Sequence, residues 1–180
     1  MPLPFYTIGH STRSTAAFVE ILRAADVSGV ADIRTVPRSR TNPQYNTDVL
    51  PDALAPFAIG YTPIARLGGL RARSKGTAPE VNGYWTNSSF HNYADYALTD
   101  TFGEGLGELI AIGRERRVAM MCSEAVWWRC HRRIVADYLL ARGETVFHLM
   151  ESGRIEPARL TPGAEVDRAG RVTYPAPANT

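Results

Sequence analysis

The segment MMCSEAVWWRCHRR, residues 120–133, concentrates the reactive side chains of this chain. Cys122 closes an apolar run, and Cys130 and His131 are followed by Arg132 and Arg133. A thiol at a helix N-terminus and beside arginines ionises below its ordinary value of about 8.5. The pattern therefore points to a reactive thiolate in an electropositive turn. Cys122 or Cys130 is the nucleophile, with one attacking and the other resolving or assisting. His131 is a proton carrier and Glu124 an orienting carboxylate. Three other readings stay open. Both cysteines fit as small buried hydrophobes. They also fit as a reversible disulfide or a sulfenic-acid sensor. Cys122, Cys130, His131 and His10 are ligand types for zinc or iron. However, neighbouring Cys130 and His131 on a helix would point about 100° apart, so no metal site is expected. A tyrosine-phosphatase loop is excluded by spacing, since six residues separate Cys122 from Arg129 where that loop has five.

Two more segments carry chemistry. In Gly9-His10-Ser11, glycine permits close backbone approach and His10 can act as general acid or base. In Asp32-Ile33-Arg34, the two charged residues share one strand face. They either bracket a ligand, with Arg34 and Arg132 clamping an anion, or form an internal ion pair. Ser11 and Asp32 complete the expected substrate contacts. The Gly-Arg stretch LGGLRARSKG, residues 67–76, matches neither phosphate-loop pattern and reads as a mobile solvated loop or a lid.

These residues need elements to position them. Apolar runs at 4–8, 28–33, 118–122 and 145–149 read as strands, and a shorter one at 60–64 as another. The spacing of Phe18, Ile21, Leu22 and Ala25 predicts a helix over 14–25. Ile134, Val135, Tyr138 and Leu139 predict one over 130–142. A further helix is expected over 101–114. Continuous apolar strands are buried on both faces, so the fold class is α/β: a single layered domain with a mostly parallel sheet flanked by helices. It spans residues 1–160, with a loose C-terminal tail at 161–180. Right-handed crossovers then bring His10, Asp32, Arg34, Cys122, Cys130 and His131 to one sheet edge.

TIGHS at 7–11, D-I-R-x-x-P at 32–37, and C-S-E with C-H-R at 122–124 and 130–132 together resemble domain of unknown function family 488. The resemblance spans roughly residues 4–160. It implies a compact, mostly prokaryotic α/β domain without an assigned reaction. Its motif residues fall on His10, Ser11, Asp32, Arg34, Pro37, Cys122, Glu124, Cys130, His131 and Arg132.

Composition bounds the answer. The 180 residues are 44% hydrophobic and 21% charged, which excludes a disordered chain. No apolar run reaches the roughly 18 residues of a membrane span. The start MPLPFYTIGH lacks the basic and apolar regions of a signal peptide, so a cytoplasmic protein is expected. Net charge is +2, and Lys75 is the only lysine among 20 basic residues. Near-neutrality disfavours strong nucleic-acid binding, while arginine suits carboxylate and phosphate. The leading expectation is a cysteine-dependent enzyme acting on an anionic small molecule or nucleotide. Its alternatives are a nucleic-acid or nucleotide-binding module using an arginine-rich edge, and a thiol redox or metal-binding regulator. Cofactors and oligomeric state are left open.

Overall fold

A computed structural model describes residues 2–178; residues 1, 179 and 180, at the ends of the expected domain and tail, lie outside it. Strands β1 (Phe5–Gly9), β2 (Gly29–Asp32), β3 (Gly60–Pro63), β4 (Val118–Cys122), β5 (Val146–Leu149) and β6 (Ile155–Pro157) form one sheet in the order β3-β2-β4-β1-β5-β6. The first five are parallel, and β6 pairs antiparallel with β5. Five α-helices accompany them: α1 (Thr15–Ala24), α2 (Leu50–Leu54), α3 (Ser88–Tyr96), α4 (Asp100–Glu115) and α5 (Arg132–Ala141).

The period-2 alternation of strand side chains sorts the core into two layers. Phe5, Ala31, Val118, Met120 and Val146 pack against α3, α4 and α5. Tyr6, Ile8, Val30, Ala119, Met121 and Leu149 pack against α1 and α2. Both faces are covered, and this is why the strands read as unbroken apolar runs. Ser14 caps α1 by accepting from the Ala17 amide, and Thr99 caps α4 by accepting from the Phe102 amide.

The strand order fixes where a site can form. From β1 the chain crosses through α1 to β2, passing the position later filled by β4. From β4 it crosses through α5 to β5, passing β1 in the opposite direction. The carboxyl ends of β1 and β4 therefore flank the topological switch point, the usual ligand crevice of open α/β sheets. Gly9 and Cys122 are register partners there.

Three local expectations are corrected. Helix α5 starts at Arg132, two residues later than its apolar spacing predicts. The 3-10 turn Trp127–Arg129 ends at Cys130, whose backbone is extended (φ −127°, ψ 147°). The stretch beyond Thr161 is not loose over its described residues. Strands β7 (Glu165–Val166) and β8 (Val172–Thr173) form a hairpin, and Tyr174 is buried with its hydroxyl donating to Asp137 Oδ2 at 2.7 Å. Proline and glycine mark the turns of this segment, while Val172 and Tyr174 alternate inward. The stretch after Arg66 is anchored at its start rather than mobile. Leu67 is buried, and the Arg71 guanidinium lies 3.8 Å from the Tyr96 ring centroid.

Candidate functional site

The turn after β4 folds back onto the end of β1. His10 donates its amide to the Cys122 carbonyl (2.9 Å), and Ser11 donates to Ser123 (3.0 Å). Ser11 adopts a left-handed backbone (φ 48°) to do so. Gly9 is required by this contact. A Cβ there would overlap the Glu124 carbonyl and come within 3.0 Å of Arg132 Nη1.

On the α1–α2 face, His10 stacks on Tyr45 with centroids 4.3 Å apart. Its Nδ1 meets the Ser11 carbonyl at 2.8 Å, and a carbonyl only accepts, so Nδ1 carries the proton. Nε2 is then free to accept from Arg34 Nη1 at 3.3 Å. Burial lowers the His10 pKa, and the Arg34 charge pushes the same way. Arg34 is itself gripped by Asp32 through Nε (2.9 Å) and Nη2 (2.7 Å), and by the Tyr45 carbonyl (2.6 Å). The Tyr61 hydroxyl donates to Asp32 Oδ2 at 2.5 Å. Asp32 thus sits behind Arg34 as its ion-pair partner and does not face the cleft.

On the α3–α5 face, the Cys122 and Cys130 sulfurs meet as a disulfide pair, with Cα atoms 7.3 Å apart. Arg132 has no exposed surface. It donates from Nη1 to Cys122 Sγ and to the Glu124 carbonyl, both at 2.6 Å, and from Nη2 to the Ala125 carbonyl at 3.3 Å. Among the described residues no carboxylate lies within 4.0 Å of its guanidinium. Burial pulls its pKa down to about 9. A buried cation is costly unless paired, and this one faces two backbone carbonyls and the Cys122 sulfur. Arg132 is therefore a support beneath that sulfur rather than the outer half of an anion clamp.

Cys130 and His131 converge, because neither lies within the helix. Cys130 Sγ is 3.5 Å from His131 Nδ1 and accepts the Arg132 amide at 3.4 Å. His131 Nε2 donates to the Ile33 carbonyl at 2.7 Å, which leaves Nδ1 as a lone-pair nitrogen facing the Cys130 sulfur. Desolvation lowers the His131 pKa to about 4. Gly69 closes over the ring, where a Cβ would fall 2.5 Å from Nδ1.

Sequence reasoning missed the layer behind Arg132. Arg132 Nε donates to Thr7 Oγ1 (3.2 Å), and Thr7 Oγ1 is hydrogen-bonded to His148 Nδ1 (2.7 Å). Trp127 stacks on His148 at 4.5 Å, its indole N–H donating to Glu156 at 3.1 Å. The signal was a histidine in the middle of an apolar strand, since a buried polar group needs a partner. Burial lowers the His148 pKa to about 3, with Arg132 adding to the effect. The unfolded value is about 6.5. Between these limits the unfolded chain binds a proton that the folded chain does not. Stability is therefore full above about pH 6.5 and drains away as the pH falls toward 3. Each displaced unit is worth about 1.4 kcal/mol, so His148 alone withdraws several kcal/mol. In urea titrations at successive pH values, His148→Gln should flatten the loss between about pH 6.5 and 4. A wild-type slope no steeper than the variant's contradicts this.

These elements enclose a cleft of about 730 Å³ at the carboxyl ends of β1 and β4. His10, Ser11, Arg34, Cys122, Glu124, Cys130 and His131 line it; Asp32 and Arg132 lie behind the wall. Arg38 and Arg129 add positive charge, and Val36, Leu70 and Phe90 add apolar surface. Among the described residues, no group of three His, Cys, Asp or Glu side chains is placed to hold a metal ion. No described helix is long and apolar enough to cross a membrane.

The family described as Domain of unknown function DUF488 matches residues 14–139, more than half of the chain. The chain belongs to this family. The match covers Asp32, Arg34, Cys122, Cys130, His131 and Arg132, whereas Thr7, His10, Ser11 and His148 lie outside it. No curated protein and no solved structure matches this DUF488 chain.

Proposed function

We propose that this DUF488 domain is a cysteine-dependent enzyme acting on an anionic small molecule, with Cys122 as nucleophile. One observation carries the reading: a wholly buried arginine, with no carboxylate within 4.0 Å among the described residues, points its guanidinium at the Cys122 sulfur, where it would meet the thiolate once the Cys122–Cys130 pair is reduced. A guanidinium N–H on sulfur favours the thiolate over the thiol. The thiolate sits at the end of a buried strand, at the switch point, where a rigid backbone aims it into the cleft. His131 Nδ1 accepts a hydrogen bond from the neighbouring Cys130 once it is a thiol, and its low pKa makes it a positioning group rather than a proton carrier. His10 positions Arg34 from the wall of the cleft, Ser11 offers a hydroxyl beside them, and Glu124 stands at the rim. Among the cleft's charged linings, Arg34, Arg38 and Arg129 face a single carboxylate, Glu124. Arg34 is largely neutralised by Asp32, and Arg38 is paired with Asp48 at the surface, so Arg129 is the lining cation left to draw in an anion, with Val36 and Leu70 to cover its uncharged part.

The test compares two alkylating agents on reduced protein. Iodoacetate carries a charge and iodoacetamide does not. Relative to free cysteine, Cys122 should prefer iodoacetate by about tenfold at low salt, because a positive cleft raises the local anion concentration. Added salt should erase the preference. Equal relative rates, independent of salt, would rule out an anion-seeking cleft.

A further inference from the structure

Two sulfurs meet at the floor of the cleft, and they are differently equipped. Cys122 faces Arg132 Nη1, and Cys130 faces His131 Nδ1. A thiolate that attacks carbon or phosphorus and is freed by water gains nothing from a second thiol pressed against it. A thiolate whose sulfur becomes oxidised does gain, because the second thiol displaces oxygen from it before further oxidation. Access points the same way. Cys122 exposes 3% of its surface and Cys130 5%, so the electrophile that reaches sulfur is small.

We propose that Cys122 reduces small hydroperoxides and that Cys130 resolves the product as a disulfide. This rests on the reading of Cys122 as a reactive thiolate. In the first step the Cys122 thiolate attacks the distal oxygen of the hydroperoxide. An S–O bond forms and the O–O bond breaks. Sulfur is oxidised by two electrons to sulfenic acid, and the alkoxide or hydroxide leaves and takes a proton from water. Arg132 stabilises the thiolate before the attack. In the second step the Cys130 sulfur attacks the Cys122 sulfur, its proton held in a hydrogen bond to His131 Nδ1. The S–S bond forms, the S–O bond breaks, and the departing hydroxide collects that proton to leave as water. An external dithiol then reduces the disulfide by exchange and is itself oxidised, which restores both thiols.

The Cys122 and Cys130 sulfurs already meet with their Cα atoms 7.3 Å apart, so the two side chains are placed to react with each other. The connection at 123–129 joins them. Its only regular element is the 3-10 turn Trp127–Arg129, and Ser123, Glu124, Trp128 and Arg129 are exposed.

The experiment treats reduced protein with one equivalent of hydrogen peroxide and reads the products by mass spectrometry. Wild-type protein should lose both thiols together, with a mass lower by two hydrogens and a Cys122–Cys130 cross-link after digestion. Cys130→Ser should instead yield a dimedone adduct on Cys122. Cys122 oxidation should outpace free cysteine about 100-fold, as expected for an activated thiolate. Wild-type protein that keeps both thiols, or reaches sulfinic acid without a cross-link, overturns the proposal. If Cys122 also alkylates rapidly in that case, only the peroxide chemistry falls. If it is inert to alkylation as well, the reading of Cys122 as a nucleophile falls with it.

Discussion

Replacing Arg132 with methionine should slow alkylation of Cys122 at neutral pH by about 10- to 100-fold in Cys130→Ser protein. A hydrogen bond from a charged donor contributes about 1.5–3 kcal/mol, and here it favours only the thiolate. Removing it raises the thiol pKa by about 1–2 units, and the thiolate fraction at neutral pH falls accordingly. Methionine fills much of the vacated volume, and apolar replacement of a buried ion is often tolerated. Circular dichroism and urea unfolding would establish that the variant is folded. Arg132→Lys keeps the charge but loses the fork that reaches sulfur, two carbonyls and Thr7, so it should fall between the two. An alkylation profile unchanged in Arg132→Met would mean that the arginine only braces the turn at 123–129.

Gly9→Ala should cost stability heavily, on the order of 3 kcal/mol or more, the range of severe steric insertions. The added methyl would overlap the Glu124 carbonyl, which is backbone and which Arg132 Nη1 also holds. The turn that presents Cys122 must move, so alkylation should slow in parallel with the drop in urea midpoint. Gly103→Ala supplies the contrast. Gly103 lies inside α4, and nothing is within 4 Å of a Cβ there. That substitution should stabilise the protein by about 0.5–1 kcal/mol. Similar midpoints for the two variants would mean that the β1–β4 turn tolerates displacement.

The contrast between these glycines shows what the sequence can reveal. Strand β4 was legible to the residue, because Val118–Cys122 is a five-residue apolar run buried throughout. The parallel sheet followed from such runs alternating with amphipathic helices, and its carboxyl edge brings His10, Arg34, Cys122, Cys130 and His131 into one cleft. Partner choice was not legible. Asp32 and Arg34 sit two apart on a strand whether they bracket a ligand or each other, and Tyr61 and the Tyr45 carbonyl, remote in sequence, complete the ion pair. The 3-10 turn that delays α5 to Arg132 could not be read from apolar spacing, which shows only the inner face of a helix. It is this delay that frees Cys130 and His131 to face each other. Thr7 and His148 lie 141 residues apart, so although a histidine in an apolar strand signals a buried partner, the sequence does not say which one. The hairpin at 165–173 was hidden by a composition rich in turn formers, since two-residue strands leave almost no period to detect.

The most direct measurement is the ultraviolet titration of the Cys122 thiolate in reduced Cys130→Ser protein, where one sulfur contributes the signal. With Arg132 facing that sulfur and no carboxylate within 4.0 Å of its guanidinium among the described residues, the midpoint should lie at or below about pH 7, well under the ordinary thiol value of about 8.5. A midpoint at or above that ordinary value would contradict the account. It would make Cys122 a structural thiol and Arg132 a brace for the turn.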